Sequence, residues 1–380
     1  MIRPLILEYQ KDHPNVKIEY KLEVPGGYRE RLQTRLRTEG VIDKPDIFRF
    51  HNTWLPMLKD ELAPVPPTII SNTEYEKIFY PVTKDDLKMG NSYFGIPLMY
   101  DGLALFYNEE LFQQAGVLEP PKTWDELREL AVKLTVKDET GRIQIAGVAM
   151  GTASNVDHFS DILGLMMMQN GVNLSNMTGN LAEDALAFYT VFSTEDKVWN
   201  ETMPSSTLAF ASGKVAMMFG PSWRVFNIKE SNPDLRFKVA PVPQLPGGTV
   251  NLASYWVEGV AKTSEHQAEA WDFLKFLSQK ESLRKLYAEA SKTRLFGEPY
   301  SRQDMAESLI NDEYVGPYIE GAKTAKSWYL CSRTFDNGIN DRIIKYLEDA
   351  VNGVNRGKSP KEALGTASRG ISDILSQFGI

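Results

Sequence analysis

The stretch GIPLMYDGLALFYNEELFQQAGVLEPPKTWDEL, residues 95–127, decides the fold class of this chain. It begins with two apolar segments, which Tyr100-Asp101-Gly102 interrupts, and it ends at the start of a helix. Thr123 and Glu126 have the spacing of a capping box, in which each side chain bonds a backbone N–H at the other position. The stretch therefore predicts a passage from strand to helix, which is typical of α/β proteins.

The same alternation continues on both sides of this stretch. Val16 to Val24 carry apolar residues at every second position and predict a strand, and Tyr28 to Thr38 predict a charged helix. Further along, KVAMMFGPSWRVF (214–226) predicts a strand, and Ile339 to Val351 repeat apolar residues at helical spacing. A length of 380 residues favours two domains. Since no Pro/Gly-rich linker separates two halves, we expect the chain to pass between them more than once.

Composition and charge argue against several classes of protein. The net charge of −8 disfavours a nucleic-acid partner, because phosphate binding needs clustered Lys and Arg. The single cysteine, Cys331, excludes an internal disulfide framework, and four scattered histidines argue against a zinc site. We expect no metal and no cofactor. Close acidic pairs such as Asp85-Asp86 are interpreted as solvated surface, and no catalytic constellation stands out.

Four of the seven tryptophans lie at or just beyond apolar segments, beside polar residues, at Trp54, Trp223, Trp256 and Trp328. In open α/β sheets, ligands bind outside the carboxyl ends of strands. Aromatic faces that stack on a sugar ring, with polar groups that bond its hydroxyls, would form a carbohydrate site. The polar candidates are Asn52, Asp101, Arg224 and Glu258. The alternative is that each tryptophan merely packs beneath a loop.

Several segments resemble the family 1 extracellular solute-binding proteins of ABC importers, the group that includes maltose-binding protein. The segments that carry the resemblance are YRERLQTRL (28–36), PDIFRFHNTW (45–54), residues 95–127, FASGKVAMMFGPSW (210–223), AWDFLKFLSQKE (270–281) and SWYLCSRTF (327–335). The resemblance implies a two-lobe α/β fold of the periplasmic-binding-protein type (type II), with crossover hinge segments and a ligand cleft between the lobes. We place the N-terminal lobe at 1–104 and 262–310, and the C-terminal lobe at 105–261 and 311–380.

The resemblance also implies ligand contacts, which we transfer position by position. The positions are His51, Asn52 and Trp54 in one loop, Tyr100 with the carboxylate Asp101, the polar loop residues Asn155 and Asp157, Trp223 with its neighbour Arg224, and the paired aromatics Trp328 and Tyr329. The segment that contains Tyr255, Trp256 and Glu258 departs from the small, glycine-rich pattern of the family. These larger side chains would narrow the cleft, which puts a long oligosaccharide in doubt.

The implied function is capture of a sugar or small oligosaccharide outside the cytoplasmic membrane and its delivery to the permease of an ABC importer. We expect a monomer whose ligand bridges both lobes and stabilises a closed form. One alternative is a binding protein for a non-sugar solute. Another is a glycan-cleaving enzyme that uses Asp101 and Glu258, whose carboxyls would then lie roughly 5–10 Å apart.

Family members open with a signal or lipoprotein sequence and a first β-strand, and neither is recognisable at the start of this sequence. We expect either a trimmed start or another element in place of that strand. Its absence should leave Val16–Val24 without a neighbour in the sheet.

Overall fold

A computed structural model describes residues 1–41, 43–331 and 334–380, and it divides the chain into two compact units. Unit 1 consists of Met1–Asp101, Ala253–Ile310 and Thr334–Gly338. Unit 2 consists of Gly102–Leu252, Asn311–Arg333 (described to residue 331) and Ile339–Ile380. Each unit is thus assembled from three separate segments of the chain.

Unit 1 combines short helices with a small sheet. Its α-helices are Arg3–Asp12, Tyr28–Arg37, Leu55–Leu58, Asn72–Ile78, Val82–Leu87, Gln267–Leu277 and Lys280–Ser291, with 3₁₀ turns at Asn52–Trp54 and Gln303–Ser308. Its strands are Ile47–His51, Lys88–Met89, Ser92–Tyr93, Ile96–Pro97 and Trp256–Val260. The helix predicted from Tyr28 is confirmed.

The sheet of unit 1 places Trp256–Val260 between Ile47–His51 and Ile96–Pro97, and both pairings are antiparallel. Phe50 and Val257, which are opposite each other in the register, are fully buried. Because Trp256–Val260 is the central strand here, residues 253–261 lie in unit 1. The lobe bounds expected from the resemblance place these residues in the C-terminal lobe instead.

The segment Val16–Val24 is not a strand in the structure, which contradicts the prediction from its alternating pattern. Tyr20, Leu22 and Val24 are exposed, Leu22 by 87%. A period-2 pattern becomes a strand only when a neighbour accepts its backbone hydrogen bonds. Among the described residues, Ile47–His51 pairs with Trp256–Val260 alone, and no strand pairs with Val16–Val24.

Unit 2 is larger and contains a five-stranded mixed sheet. Its α-helices are Glu109–Gln114, Trp124–Leu134, Phe159–Gln169, Asn180–Thr194, Ser206–Ala211, Arg224–Ser231, Gly316–Gly321, Ile339–Asn355 and Pro360–Gln377, with a 3₁₀ turn at Ala322–Thr324. The sheet order is Val136–Lys137, Ile143–Val148, Val215–Gly220, Ala104–Asn108 and Phe237–Ala240. A separate short pair joins Asn251–Leu252 to Ala325–Lys326.

Local signals in unit 2 are confirmed. The capping box of Thr123 and Glu126 starts the helix Trp124–Leu134, with both reciprocal hydrogen bonds present. The strand Val215–Gly220 is buried along its whole length and ends directly before the turn that carries Trp223. Within the described ranges, no helix has both the length and the apolar character that a membrane crossing requires.

Candidate functional site

The residues predicted to bind ligand divide between the two units, and each group is described within its own unit. Unit 1 contains His51, Asn52, Trp54, Tyr100, Asp101, Tyr255, Trp256 and Glu258. Unit 2 contains Asn155, Asp157, Trp223, Arg224, Trp328 and Tyr329.

His51 is a buried, neutral imidazole at the end of its strand. Its Nδ1 lies 2.8 Å from the hydroxyl oxygen of Thr53, and its Nε2 lies 3.0 Å from the hydroxyl oxygen of Ser254. Burial lowers the pKa of His51 to about 3. The ring faces Trp256 across the sheet, with ring centres 5.3 Å apart and planes at 83°. His51 thus helps to hold Trp256 and stays uncharged at ordinary pH.

Trp54 is fully buried, whereas Trp256 is partly exposed. The two indoles pack edge to face at 5.3 Å, and Tyr28 packs on Trp54 at 6.1 Å. Trp54 is therefore packed beneath a loop, which is the alternative that the sequence left open for each tryptophan. Trp256 is the member of this pair that a ligand could reach.

Asn52 and Tyr255 meet at the carboxylate of Asp86. The Asn52 amide and the Tyr255 hydroxyl donate to Asp86 Oδ2 at 3.0 and 2.7 Å, and the Tyr255 backbone N–H donates to Asn52 Oδ1 at 3.1 Å. The interpretation of Asp86 as solvated surface is therefore wrong. The helix Val82–Leu87 carries the missed signal, because Asp86 lies one turn after buried Val82 and shares its face.

Tyr100 and Asp101 are both buried, and they lie with Tyr80 and Tyr255 in a cluster of phenols. The ring centre of Tyr100 is 4.9 Å from that of Tyr80 and 6.2 Å from that of Tyr255. Burial raises the pKa of the Tyr100 phenol well above its usual range, and the charges of Asp101 and Asp86 contribute to the rise. The cluster therefore places neutral phenols beside carboxylates within the interior of unit 1. Tyr80 was not singled out from the sequence.

Glu258 forms a cross-strand ion pair. Arg49, which is opposite Glu258 in the register, donates from Nε to Glu258 Oε1 at 2.7 Å, and its Nη2 lies 2.5 Å from the same oxygen. The Glu258 carboxylate is thus engaged by the guanidinium of Arg49. The arrangement fits a structural role for Glu258.

In unit 2, Asn155 and Asp157 hold a loop in place. The Asn155 amide donates to the backbone oxygens of Asn200 and Met203, each at 2.9 Å, and Trp199 Nε1 donates to Asn155 Oδ1 at 3.0 Å. Asp157 Oδ2 accepts from the backbone N–H of Thr207 at 3.1 Å and lies 3.7 Å from Arg224 Nη2.

Trp223 follows the strand Val215–Gly220, as the sequence predicts, and its side chain is half-buried. The guanidinium carbon of Arg224 lies 4.4 Å from the centre of the Trp223 ring, within the range of a cation–π contact. Arg224 is itself buried and donates from Nε to His158. Sequence reasoning listed His158 only as a scattered histidine, yet it lies beside this pair.

Trp328 and Tyr329 form a second half-buried aromatic surface, with ring centres 5.4 Å apart. The next residue, Leu330, anchors them, since its carbonyl accepts from Ser160 Oγ at 2.8 Å. A Cβ at Gly164 would lie 2.0 Å from Leu330 Cδ1, so a larger residue there would have to displace the Leu330 side chain, which packs against the helix Phe159–Gln169. Trp328 and Tyr329 are therefore aromatics that a rigid helix supports.

No group of three His, Cys, Asp or Glu side chains that could hold a metal ion occurs within residues 1–41, 43–331 and 334–380.

One family model, described as bacterial extracellular solute-binding protein, matches residues 2–283 of the chain. That is more than half of its 380 residues, so the chain belongs to this family of bacterial extracellular solute-binding proteins. The resemblance drawn from the sequence segments is thereby confirmed.

Individual relatives agree with this assignment. The diacetylchitobiose-binding protein of Streptomyces coelicolor is 26% identical over 286 residues, which is 68% of this chain and 61% of the relative. The maltotriose-binding protein of Pyrococcus abyssi is 22% identical over 252 residues, or 62% of this chain and 51% of the relative. The chain spans about half the length of the curated relatives it matches.

A solved structure with the same fold is an ABC transporter solute-binding protein from Thermotoga lettingae bound with α-D-tagatose. It is 22% identical, with a TM-score of 0.74 and coverage of 98% of this chain and 95% of its own. At this identity the likeness shows the fold, and it confirms the predicted two-lobe α/β class.

Proposed function

We propose that this protein captures a carbohydrate, either a sugar or a small oligosaccharide, outside the cytoplasmic membrane and delivers it to the permease of an ABC importer. The observation that carries the proposal is the set of partly exposed aromatics that buried neighbouring residues support. They are Trp223, Trp328 and Tyr329 in unit 2 and Trp256 in unit 1. Flat aromatic faces bind the C–H faces of sugar rings, and neighbouring carboxylates and phenols bind the hydroxyls.

The relatives support the same class of ligand. Their names state diacetylchitobiose and maltotriose, and the solved neighbour carries α-D-tagatose. In unit 1, the carboxylates of Asp86 and Asp101 would supply hydrogen-bonding groups to such a ligand. Charge-assisted hydrogen bonds to ionised carboxylates are about twice as strong as neutral ones, which favours hydroxyl-rich solutes.

We propose that the protein performs no covalent chemistry. The family and the solved neighbours are binding proteins, and Glu258, one of the two carboxylates that a glycan-cleaving mechanism would need, is paired with Arg49. Bound ligand would instead shift the population towards a form that the permease recognises. We also propose that the protein acts as a monomer and needs no cofactor.

A thermal-shift screen tests the proposal. The panel contains monosaccharides, di- to tetrasaccharides, polyamines, short peptides and phosphorylated polyols. A carbohydrate present at about 100 times its dissociation constant should add about 2.7 kcal/mol of stability. Stabilisation by a polyamine, peptide or phosphorylated polyol, with none by carbohydrates, would contradict the ligand assignment. Chromatography of the incubated ligand should recover it intact.

A further inference from the structure

A row of buried polar side chains lies behind Trp223, formed by Asp161, His158 and Arg224. Their exposed fractions are 5%, 4% and 7%. Arg224 Nε lies 2.9 Å from His158 Nε2, and His158 Nδ1 lies 3.3 Å from Asp161 Oδ2. All three belong to unit 2, on the helix Phe159–Gln169 with its cap and on the helix Arg224–Ser231.

The hydrogen bond from Arg224 determines the charge of the His158 ring and the nitrogen that carries its proton. A guanidinium can only donate, so Nε2 of His158 must present its lone pair and the ring proton lies on Nδ1, facing Asp161. A protonated ring has no lone pair and could not accept from Arg224. Burial lowers the pKa of His158 from its ordinary value, and the charge of Arg224 acts in the same direction, while Asp161 and Asp157 oppose the shift. The neutral ring is therefore the form present at neutral pH.

Arg224 in turn lies against Trp223. Its guanidinium carbon is 4.4 Å from the ring centre, and the His158 ring is nearly perpendicular to the indole, at 72° and 6.0 Å. Trp223 immediately precedes the helix that Arg224 begins, so the helix itself does not fix the direction of the indole. The inner surface of Trp223 is defined by Arg224 and His158, while part of the ring stays exposed.

Arg224 has two further partners, which its terminal nitrogens contact. Asp157 Oδ2 is 3.7 Å from Nη2, and Asn227 Oδ1 is 3.4 Å from Nη1. Without an acceptor at His158 Nε2, the guanidinium would be drawn towards the Asp157 carboxylate, since opposite charges attract strongly where water is excluded. The His158 acceptor thus supplies the Nε contact that holds Arg224 in this orientation.

We propose that His158 is a positioning residue for ligand binding: as a neutral acceptor it fixes Arg224 behind Trp223 and so orients the indole that stacks on the ligand. The ligand part of this assignment rests on the proposed carbohydrate function. The charged groups that surround the His158 ring are Asp157, Asp161 and Arg224. Acid that protonates the ring should release Arg224 and weaken ligand binding. Affinity should therefore fall as the pH is lowered, with no loss at neutral pH.

Three variants separate the two ring nitrogens. His158→Gln places an oxygen acceptor near the position of Nε2, His158→Asn places polar atoms only near Nδ1, and His158→Leu has no polar atom. Two quantities are measured for each: the carbohydrate affinity between pH 5 and 8, and the indole N–H signal of Trp223 in ligand-free protein, assigned by comparison with Trp223→Phe. Circular dichroism monitors folding.

We expect His158→Asn to weaken binding at pH 7.5 by about tenfold, as the loss of one charged hydrogen bond would do. His158→Gln should restore most of the affinity and should lack the acid-induced loss of the wild type. In the wild type, the Trp223 signal should move as the pH is lowered. In His158→Asn at neutral pH, the signal should already lie at the position that the wild-type signal reaches in acid. If His158→Leu does not fold, the Asn and Gln variants and the wild-type pH profile carry the test.

Wild-type affinity and a wild-type Trp223 signal in His158→Asn would overturn the proposal, as would equal losses in the Asn and Gln variants. A wild type that binds no carbohydrate, but whose Trp223 signal follows the His158 variants as expected, would overturn the ligand assignment and uphold the role of His158 in orienting Trp223.

Discussion

Trp54 packs edge to face against Trp256 at 5.3 Å, yet Trp54 is fully buried and Trp256 is partly exposed. Two tryptophans with the same sequence context, each just beyond or within an apolar segment, therefore have different physical roles. The buried indole supports the strand end, and the exposed one is available to a solute. This difference can be measured.

Trp54→Ala should destabilise unit 1 strongly, by about 3–5 kcal/mol, because it removes a large side chain from a closed core position. Trp256→Ala should cost much less stability but should weaken carbohydrate binding. Urea unfolding and calorimetric titration of both variants test the distinction. Equal stability losses in the two variants would show that Trp256 is also a core residue.

Trp223→Ala and Trp328→Ala should each weaken binding while the fold remains intact. Stacking of bases on aromatic side chains contributes about 1–3 kcal/mol per base, and we expect a similar effect for a sugar ring. Isothermal titration gives the affinity, and thermal melting checks the fold. Tyr20→Ala removes an exposed aromatic of unit 1 outside the proposed site and serves as the control. Normal binding by both tryptophan variants, or their unfolding, would contradict the stacking role.

Asp86→Ala should destabilise the protein by about 1–3 kcal/mol, because the Tyr255 hydroxyl and the Asn52 amide both lose their acceptor. Asp85→Ala is a matched control on the same helix, since Asp85 is exposed and its replacement should change stability by less than about 0.5 kcal/mol. Chemical denaturation of both variants is the measurement. Similar stabilities for the two would mean that the buried network contributes nothing.

His51 makes stability depend on pH. Its folded pKa of about 3 lies below the ordinary 6.5, so the unfolded chain binds a proton in this range that the folded chain does not. Stability should therefore fall as the pH decreases from 6.5 towards 3, by up to about 1.4 kcal/mol per pH unit from this group, and should be unaffected above 6.5.

His51→Gln should remove the contribution of one proton from the slope of stability against pH, which is up to about 1.4 kcal/mol per pH unit. Denaturant unfolding at a series of pH values provides the slope, and His266→Gln controls for the loss of a histidine as such. A slope in His51→Gln as steep as that of the wild type would refute the buried neutral state of His51.

Local signals in the sequence were sufficient for much of this fold. The capping box at Thr123 and Glu126 and the helix from Tyr28 need only neighbouring residues, and both are present. Trp223 also follows the strand predicted before it, since Val215–Gly220 ends just before this residue. An element that depends only on residues close together in the sequence can be predicted without knowledge of the rest of the chain.

Features that depend on distant partners could not be predicted. Trp256–Val260 joins unit 1 because it pairs with a strand about 200 residues earlier in the chain, at Ile47–His51. Val16–Val24 alternates as a strand does, but it has no pairing neighbour among the described residues. The hydrogen bonds of Asp86 and the burial of His158 depend on the side chains that surround them in space. Residue type and spacing alone do not contain that information.

Asp101→Asn should weaken carbohydrate binding more than the similar shape of the two side chains suggests. The Asp101 side chain is buried, and in the proposed function its carboxylate accepts hydrogen bonds from sugar hydroxyls. Removing the charge leaves weaker neutral bonds, and the amide nitrogen is a donor where the ligand needs an acceptor. Titration calorimetry of Asp101→Asn against the wild type measures the loss, with the exposed Asp85→Asn as a matched control. Because the carboxylate is proposed to bind and not to transfer a proton, the wild type should return the ligand unchanged after long incubation. Ligand cleavage by the wild type that disappears in Asp101→Asn would instead identify Asp101 as a catalytic residue.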